Sequence, residues 1–370
     1  MKIAVITLHY VTNFGSLLQT YATQSVLEKL GHEVQIIDFR PVGLSFRRAV
    51  FPCHTSLANK LIKLPFRFLC NLVQFHMVEE FIKHNINLSD TTFHTYNELV
   101  SSYPKADCYI SGSDQVWNTQ NSNRVEDIGA YYLRFVDDCP KIAYAGSFGK
   151  LELSSVEKKQ IKQWLMKYSS ISVREDSAVQ ILEDLGINAK HVADPTLLLS
   201  AAQWMSFCKK GIPNGGYVLV YNLNRNKVLN NAALKLANAK RLKIVNFADT
   251  FEFIKGADNR LINDPHDFLR YIAAADYVLT DSFHGTAFSL IFAKQVICVS
   301  PPKYSTRLNS LLAKVGCNDR MAESVEEVLA ISQNDIDYSS VREKIDDYVS
   351  ESENFLREAL RVANEKCFNN

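Results

Sequence analysis

Short apolar runs alternate along the chain with segments whose apolar residues recur at helical spacing. Residues 3–8 form the first run, and a polar turn over 9–16 follows it. Leu17, Leu18, Tyr21, Ala22, Val26, Leu27 and Leu30 then share one helix face, and Gly31 suits the position just past a helix end. The chain returns as a strand over 34–37, ending at Asp38. The alternation resumes with strands over 106–110, 141–145 and 170–173, a helix capped by Ser154 or Ser155 that runs to about Tyr168, and a short helix closing at Gly186. Residues 191–193 are extended, and Asp194-Pro195 breaks the pattern. A second series follows, with strands over 217–222, 243–247, 277–280 and 295–299. Asp264-Pro265 reads as a helix start, and the tail from Tyr338 to about Cys367 as helical. Strands alternating with helices in this way specify βα units on parallel sheets.

The length of 370 residues favours two cores. The expectation is an α/β protein of two Rossmann-like domains facing across a cleft, over residues 1–195 and 196–335, with a helical tail over 336–370. Residues 44–87 stand apart as a basic helical insertion in the first domain, with Arg47, Arg48, Lys60, Lys63 and Arg67 set among apolar residues. Two readings of it stay open: an internal insertion packed on its own domain, or a surface that rests on the inner face of a membrane.

Composition narrows the function classes. A net charge of +1 gives no electrostatic footprint for nucleic acid. The eight cysteines lack a C-x-x-C pair, and the nine histidines lack an H-x-x-x-H pair, so spacing argues no metal site and the thiols read as reduced core residues. The first apolar run is too short for a secretory signal, and no stretch approaches the ~18 apolar residues of a membrane span. A cytoplasmic enzyme, peripheral to the inner membrane if the insertion docks there, is the expectation.

Ligands of open parallel sheets bind beyond the carboxyl ends of the strands. The residues there are rich in functional groups. Thr280-Asp281-Ser282-Phe283-His284-Gly285 places a histidine, suited to general acid or base work, where a helix begins. The plain alternative is a capped helix whose histidine bonds to backbone. Arg174, after the strand over 170–173, offers a planar fork for phosphate or carboxylate, or a surface ion pair with Glu175 or Asp176. Ser111-Gly112-Ser113-Asp114-Gln115 exposes backbone N–H groups and side chains able to grip sugar hydroxyls, or is a turn with Trp117 in the core. Asn13-Phe14-Gly15-Ser16 sits where a phosphate-binding first turn would, but without G-x-G-x-x-G a nicotinamide cofactor has little support. Asp38 therefore reads as a strand terminator or minor polar contact. Lys303 and Arg307 follow the last strand, either as donor-site cations or as solvated surface charge.

Taken in order, N-F-G-S-L-L-Q-T-Y-A, S-G-S-D-Q-V-W-N, Y-A-G-S-F-G, S-V-R-E-D, A-D-P-T and D-S-F-H-G-T resemble the polysaccharide pyruvyl transferase family over residues 2–312. The resemblance implies a glycosyltransferase-B-like fold and transfer of a pyruvyl group from phosphoenolpyruvate, a co-substrate rather than a bound cofactor. The acceptor would be a hexose of a surface polysaccharide or of its lipid-linked precursor, the product a cyclic ketal, and phosphate would be released. It implies that Arg174 and His284 matter for donor binding and catalysis. Ser282, Lys303 and Arg307 are expected beside them at the donor, and Asn13, Ser113, Asp114 and Gln115 at the acceptor. A nucleotide-sugar glycosyltransferase of the same architecture and a non-catalytic glycan-binding member remain as alternatives.

Overall fold

Each apolar run becomes a strand because it is buried on both faces, the mark of a parallel sheet covered by helices. The computed structural model describes residues 1–41, 57–119, 125–208, 210–248, 253–261, 263–301 and 306–368. By internal contacts the chain divides into one unit of Met1–Leu198 with Glu351–Asn370, and a second of Leu199–Ser350.

The first unit contains β1 (Lys2–Ile6), α1 (Phe14–Lys29), β2 (Glu33–Phe39), α2 (Leu57–Asn85), β3 (Leu88–Phe93), α3 (Tyr96–Ser102), β4 (Cys108–Ser111), α4 (Val125–Tyr131), β5 (Lys141–Gly146), α5 (Ser155–Leu165), β6 (Ser170–Val173), α6 (Asp176–Asp184) and β7 (Lys190–His191). Its parallel sheet has the order β3-β2-β1-β4-β5-β6-β7, which reverses direction between β1 and β4. Helix α1 starts at Phe14, ahead of the apolar face read from sequence, because Asn13 caps it and receives Gly15 N–H at 2.9 Å. The helix is buried well beyond that face, and its inward hydroxyls bond within the unit: Thr20 donates to Ser16 O and Thr23 to Gln19 O, each at 2.8 Å. Strand β3 was not apparent in the sequence. It is an edge strand with polar, outward residues at its centre, so it lacks an apolar run. Of the basic insertion, residues 57–85 form α2, and residues 44–56 lie outside the described residues.

The second unit contains α7 (Ala201–Phe207), β8 (Tyr217–Tyr221), α8 (Lys227–Lys240), β9 (Lys243–Phe247), β10 (Asp258–Arg260), α9 (Pro265–Ala274), β11 (Tyr277–Thr280), α10 (Phe283–Ile291), β12 (Gln295–Val299), α11 (Thr306–Lys314), β13 (Met321–Ala322), α12 (Val325–Ile331) and the first part of α13 (Tyr338–Phe368). Its sheet order, β10-β9-β8-β11-β12-β13, reverses between β8 and β11. Asp264 caps α9 with Pro265 in the first turn, as its sequence signature predicts. The short strands β10 and β13 were not apparent in the sequence; three and two residues are too few to show a period. The expected separate tail is one helix, α13, whose last part from Glu351 belongs to the first unit, where Ser352 accepts the Ala193 N–H at 2.8 Å.

Candidate active site

At the point where the first sheet reverses, the turns after β1 and β4 lie side by side, and four elements meet in one buried polar cluster. Asp114 follows β4 in a left-handed conformation, φ +78°, strained for a residue with a side chain but tolerated best by Asp and Asn. Its Oδ2 accepts from the Ser16 hydroxyl in α1. Its Oδ1 takes Gln115 N–H at 2.8 Å and Arg174 Nη2 at 3.3 Å. Arg174, just after β6, also donates from Nη1 to Asp194 Oδ2 at 2.8 Å. Asp194 is completed by the Ser113 hydroxyl at 2.8 Å, Thr196 N–H at 3.0 Å and the Thr196 hydroxyl at 2.7 Å.

The Arg174 side chain has 0% exposure, so it is not the solvated surface group that its neighbours Glu175 and Asp176 suggested. Burial alone would push its guanidinium down; Asp194, Asp114 and Glu175 outweigh that and hold it above its ordinary value. Arg174, expected to touch the donor, is buried and places Nη1 on Asp194 and Nη2 on Asp114. The Ser113 hydroxyl is likewise buried and faces Asp194 and Ala145 O. Asn13 and Gln115 are partly exposed at the same sheet edge. Asn118 Nδ2 donates to Gln115 Oε1 at 2.6 Å.

Beside this cluster, the Y-A-G-S-F-G strand end has an anion nest filled by its own protein. Glu175 Oε1 takes the Ser147 hydroxyl at 2.8 Å and Phe148 N–H at 3.1 Å. Gly146 packs so closely on Trp117 that an added Cβ would sit 2.9 Å from the indole, which stacks in turn on Tyr132.

The second sheet repeats the plan at its own reversal. Asp281, after β11, accepts Leu223 N–H at 2.8 Å and Asn224 N–H at 3.0 Å from the turn after β8. Burial pushes its carboxyl up, partly offset by these amides. Asn226 caps α8 and reaches Ser300 O at 3.0 Å, tying the end of β12 to the same place. Thr280 Oγ1 donates to Tyr221 O at 2.8 Å and accepts Ser282 N–H at 3.0 Å. Ser282 caps α10 through Gly285 N–H at 3.3 Å, which places His284 in the first turn with 4% exposure. Gly285 is required there, because a Cβ would meet Thr280 Oγ1 at 2.6 Å. Arg307 lies in the first turn of α11, and Lys303 falls outside the described residues.

The structure therefore gathers Ser113, Asp114 and Arg174 in the first unit, and Ser282 and His284 in the second. Sequence reasoning assigned no role to Ser16, Asp194 or Thr196; the only signal for the last two was the polar A-D-P-T break. It also undervalued Asp38, which the fold places in a cluster with His9, Arg40 and Thr92. Among the described residues, no three His, Cys, Asp or Glu side chains group as metal ligands, and no helix is long and apolar enough to cross a membrane.

Two doubly wound parallel-sheet units, each with a polar cluster at its reversal, define an α/β protein of glycosyltransferase-B-like fold. The family model described as polysaccharide pyruvyl transferase matches residues 13–303, and the chain belongs to that family. No curated protein is a significant match to the chain. Among solved structures, it is similar to a putative UDP-N-acetylglucosamine 2-epimerase from Listeria monocytogenes (9% identity, 94% of this chain and 90% of that chain, TM-score 0.56). It is also similar to the UDP-GlcNAc 2-epimerase from Neisseria meningitidis bound to UDP-GlcNAc (10%, 97% and 99%, TM-score 0.53). A third likeness is to the UDP-GlcNAc 2-epimerase from Methanocaldococcus jannaschii (13%, 91% and 93%, TM-score 0.51). At such identities these likenesses show the fold alone.

Proposed function

We propose that the chain transfers a pyruvyl group from phosphoenolpyruvate to two hydroxyls of one hexose in a surface polysaccharide or its lipid-linked precursor. The observation that carries this reading is the family match over residues 13–303, which takes in both strand-end clusters. Protonation of the donor at C3 makes C2 electrophilic. One sugar hydroxyl adds to C2 and its proton restores the acid that protonated C3; the second then displaces phosphate, whose oxygens take the second proton. His284, in the first turn of α10, is the proton donor to C3 in this scheme. Ser282, Arg307 and Lys303 hold the donor's phosphate and carboxylate, where developing charge needs cations and N–H or O–H donors. Arg174 is assigned to positioning, because its guanidinium is already committed to Asp114 and Asp194. Asp114 then presents a fixed carboxylate edge beside Asn13 and Gln115 to the acceptor.

Phosphate release from phosphoenolpyruvate with candidate lipid-linked acceptors, with mass spectrometry of the product, tests the reading. A gain of one pyruvyl group with loss of water supports it. A thermal shift with UDP-sugars and none with phosphoenolpyruvate would replace it with a nucleotide-sugar transferase.

The insertion supports membrane contact as part of the same reading. Residues 41–78 contain Arg47, Arg48, Lys60, Lys63 and Arg67 and no acidic residue. On α2, Phe68, Leu69 and Leu72 are 45%, 56% and 48% exposed. Basic charge with exposed apolar side chains suits anionic lipid. Flotation with anionic vesicles, lost in L69E/L72E, is the expected result; equal recovery with neutral vesicles, or none with either, rejects it.

A further inference from the structure

A second cluster at the same edge of the first sheet is untouched by the scheme above. Asp38, buried at the end of β2, accepts from His9 Nε2 at 2.9 Å, Arg40 Nε at 2.6 Å and the Thr92 hydroxyl at 2.6 Å. Burial opposes its ionisation, but these three hydrogen bonds prevail and hold the carboxyl well below the usual carboxylate range. Asp38 thereby fixes the Arg40 fork, which lies 4.2 Å over the Tyr10 ring. Arg40 Nη1 then donates to Glu79 Oε1 of α2 at 3.3 Å, and the Tyr10 hydroxyl donates to the same oxygen at 2.8 Å. Burial, and then Glu79, push the Tyr10 hydroxyl up to about 12, so it stays a donor at neutral pH.

This rigid assembly has spare hydrogen-bonding capacity facing outward. Arg40 is 23% exposed and Glu79 55% exposed by side chain. Arg40 Nη2 and Glu79 Oε2 take no part in the hydrogen bonds that hold the assembly together. One edge therefore offers an N–H donor beside a carboxylate acceptor. Neighbouring sugar hydroxyls complement that edge, since each both donates and accepts. An anion does not, because Asp38 and Glu79 outnumber the one guanidinium. The flanking Arg40 also covers a face of Tyr10, so recognition is by hydrogen bonds rather than ring stacking. The turn that begins at His9 and Tyr10 ends at Asn13, the α1 cap beside the Asp114 cluster.

We propose that Tyr10, Arg40 and Glu79 form a binding subsite for a pair of neighbouring hydroxyls on the acceptor glycan. The assignment of that glycan as acceptor rests on the pyruvyl-transfer reading; the binding of sugar does not. The test uses the full chain, saturation-transfer NMR and two probes, methyl β-galactopyranoside and methyl β-glucopyranoside. Glu79→Ala sits at an exposed helix position and keeps the fold; Tyr10→Phe removes only a hydroxyl. The expected result is saturation transfer to at least one probe in the unaltered chain and a tenfold or greater rise in its half-saturating concentration in Glu79→Ala. The thermal response to phosphoenolpyruvate should persist in that variant. Unchanged sugar binding in Glu79→Ala, or no transfer to either probe in the unaltered chain, overturns the proposal. Sugar binding that depends on Glu79 without any phosphate release from phosphoenolpyruvate would uphold the subsite and remove the pyruvyl-transfer reading. Phosphate release with unaltered sugar binding in Glu79→Ala would do the reverse.

Discussion

The two sheet reversals solve one problem in different ways. In each unit an aspartate from the fourth strand's turn reaches back to the first strand's turn: Asp114 to Ser16, Asp281 to Leu223 and Asn224. In the first unit the charge is answered by a buried cation, Arg174. In the second it is answered by backbone N–H groups and the Asn224 side chain, and Asp281 is pushed up by burial. A carboxylate with its own guanidinium is a locked scaffold. The other carboxylate has, among the described residues, no arginine of this kind and lies next to a histidine in a helix's first turn. Equivalent places in two related folds thus divide between a carboxylate locked by a buried cation and one held by hydrogen-bond donors.

The sharpest way to break that division is at His284. His284→Ala should lower phosphate release about 10²- to 10⁴-fold, the usual worth of general acid catalysis. A rate near that of the unaltered chain would take the acid role away from it. Next comes Arg174→Met, which strands two buried carboxylates and should destabilise the first unit by about 3–5 kcal/mol. Hydrogen exchange should report lost protection in β4 and β6. If Asp281→Asn loosens β8 and β11 as much, the contrast between locked and open reversals is false. A smaller effect is expected at Gly285→Ala, where the added methyl meets Thr280 and overpacks the turn by about 1–3 kcal/mol. Thr280→Ala in the same chain should recover part of that loss in the thermal midpoint; no recovery would mean the clash is not with Thr280.

The smallest effect separates the Asp38 cluster from both reversals. A carboxyl held below its unfolded value of ~3.9 stabilises the fold above that pH, and the contribution drains away as the medium is acidified. Asp38→Asn should therefore flatten the fall in first-unit stability below pH ~4, measured by urea titration across pH. An unchanged acid slope would show that other carboxylates dominate.

The elements themselves were legible wherever a run of apolar residues was buried. The strands over Ser170–Val173, Lys243–Phe247, Tyr277–Thr280 and Gln295–Val299 appear with the bounds their patterns predict. Strand β3 was invisible because an edge strand can be polar outward, and β10 and β13 because they are too short to show a period. Of the sites, Ser282 could be read as a strand-end cap, since its partner Gly285 is local, whereas Asp281 bonds to Leu223 and Asn224, 58 and 57 residues away. Arg174 was legible as a functional group but not as a buried one. Its partners stand 60 and 20 residues away in the chain, a pairing no local pattern encodes.

What the sequence determined by itself is the alternation of buried strands and helices, the punctuation by Ser154, Asp264 and Ser282, and the ordered motifs of the family. Those depend on periodicity and on caps that act within a turn. Only the tertiary structure decided which strand-end side chains face one another, because parallel crossovers bring together residues that are remote in sequence. That step turned Asp38 from a strand terminator into the hub of a cluster, and set Arg174 between Asp114 and Asp194.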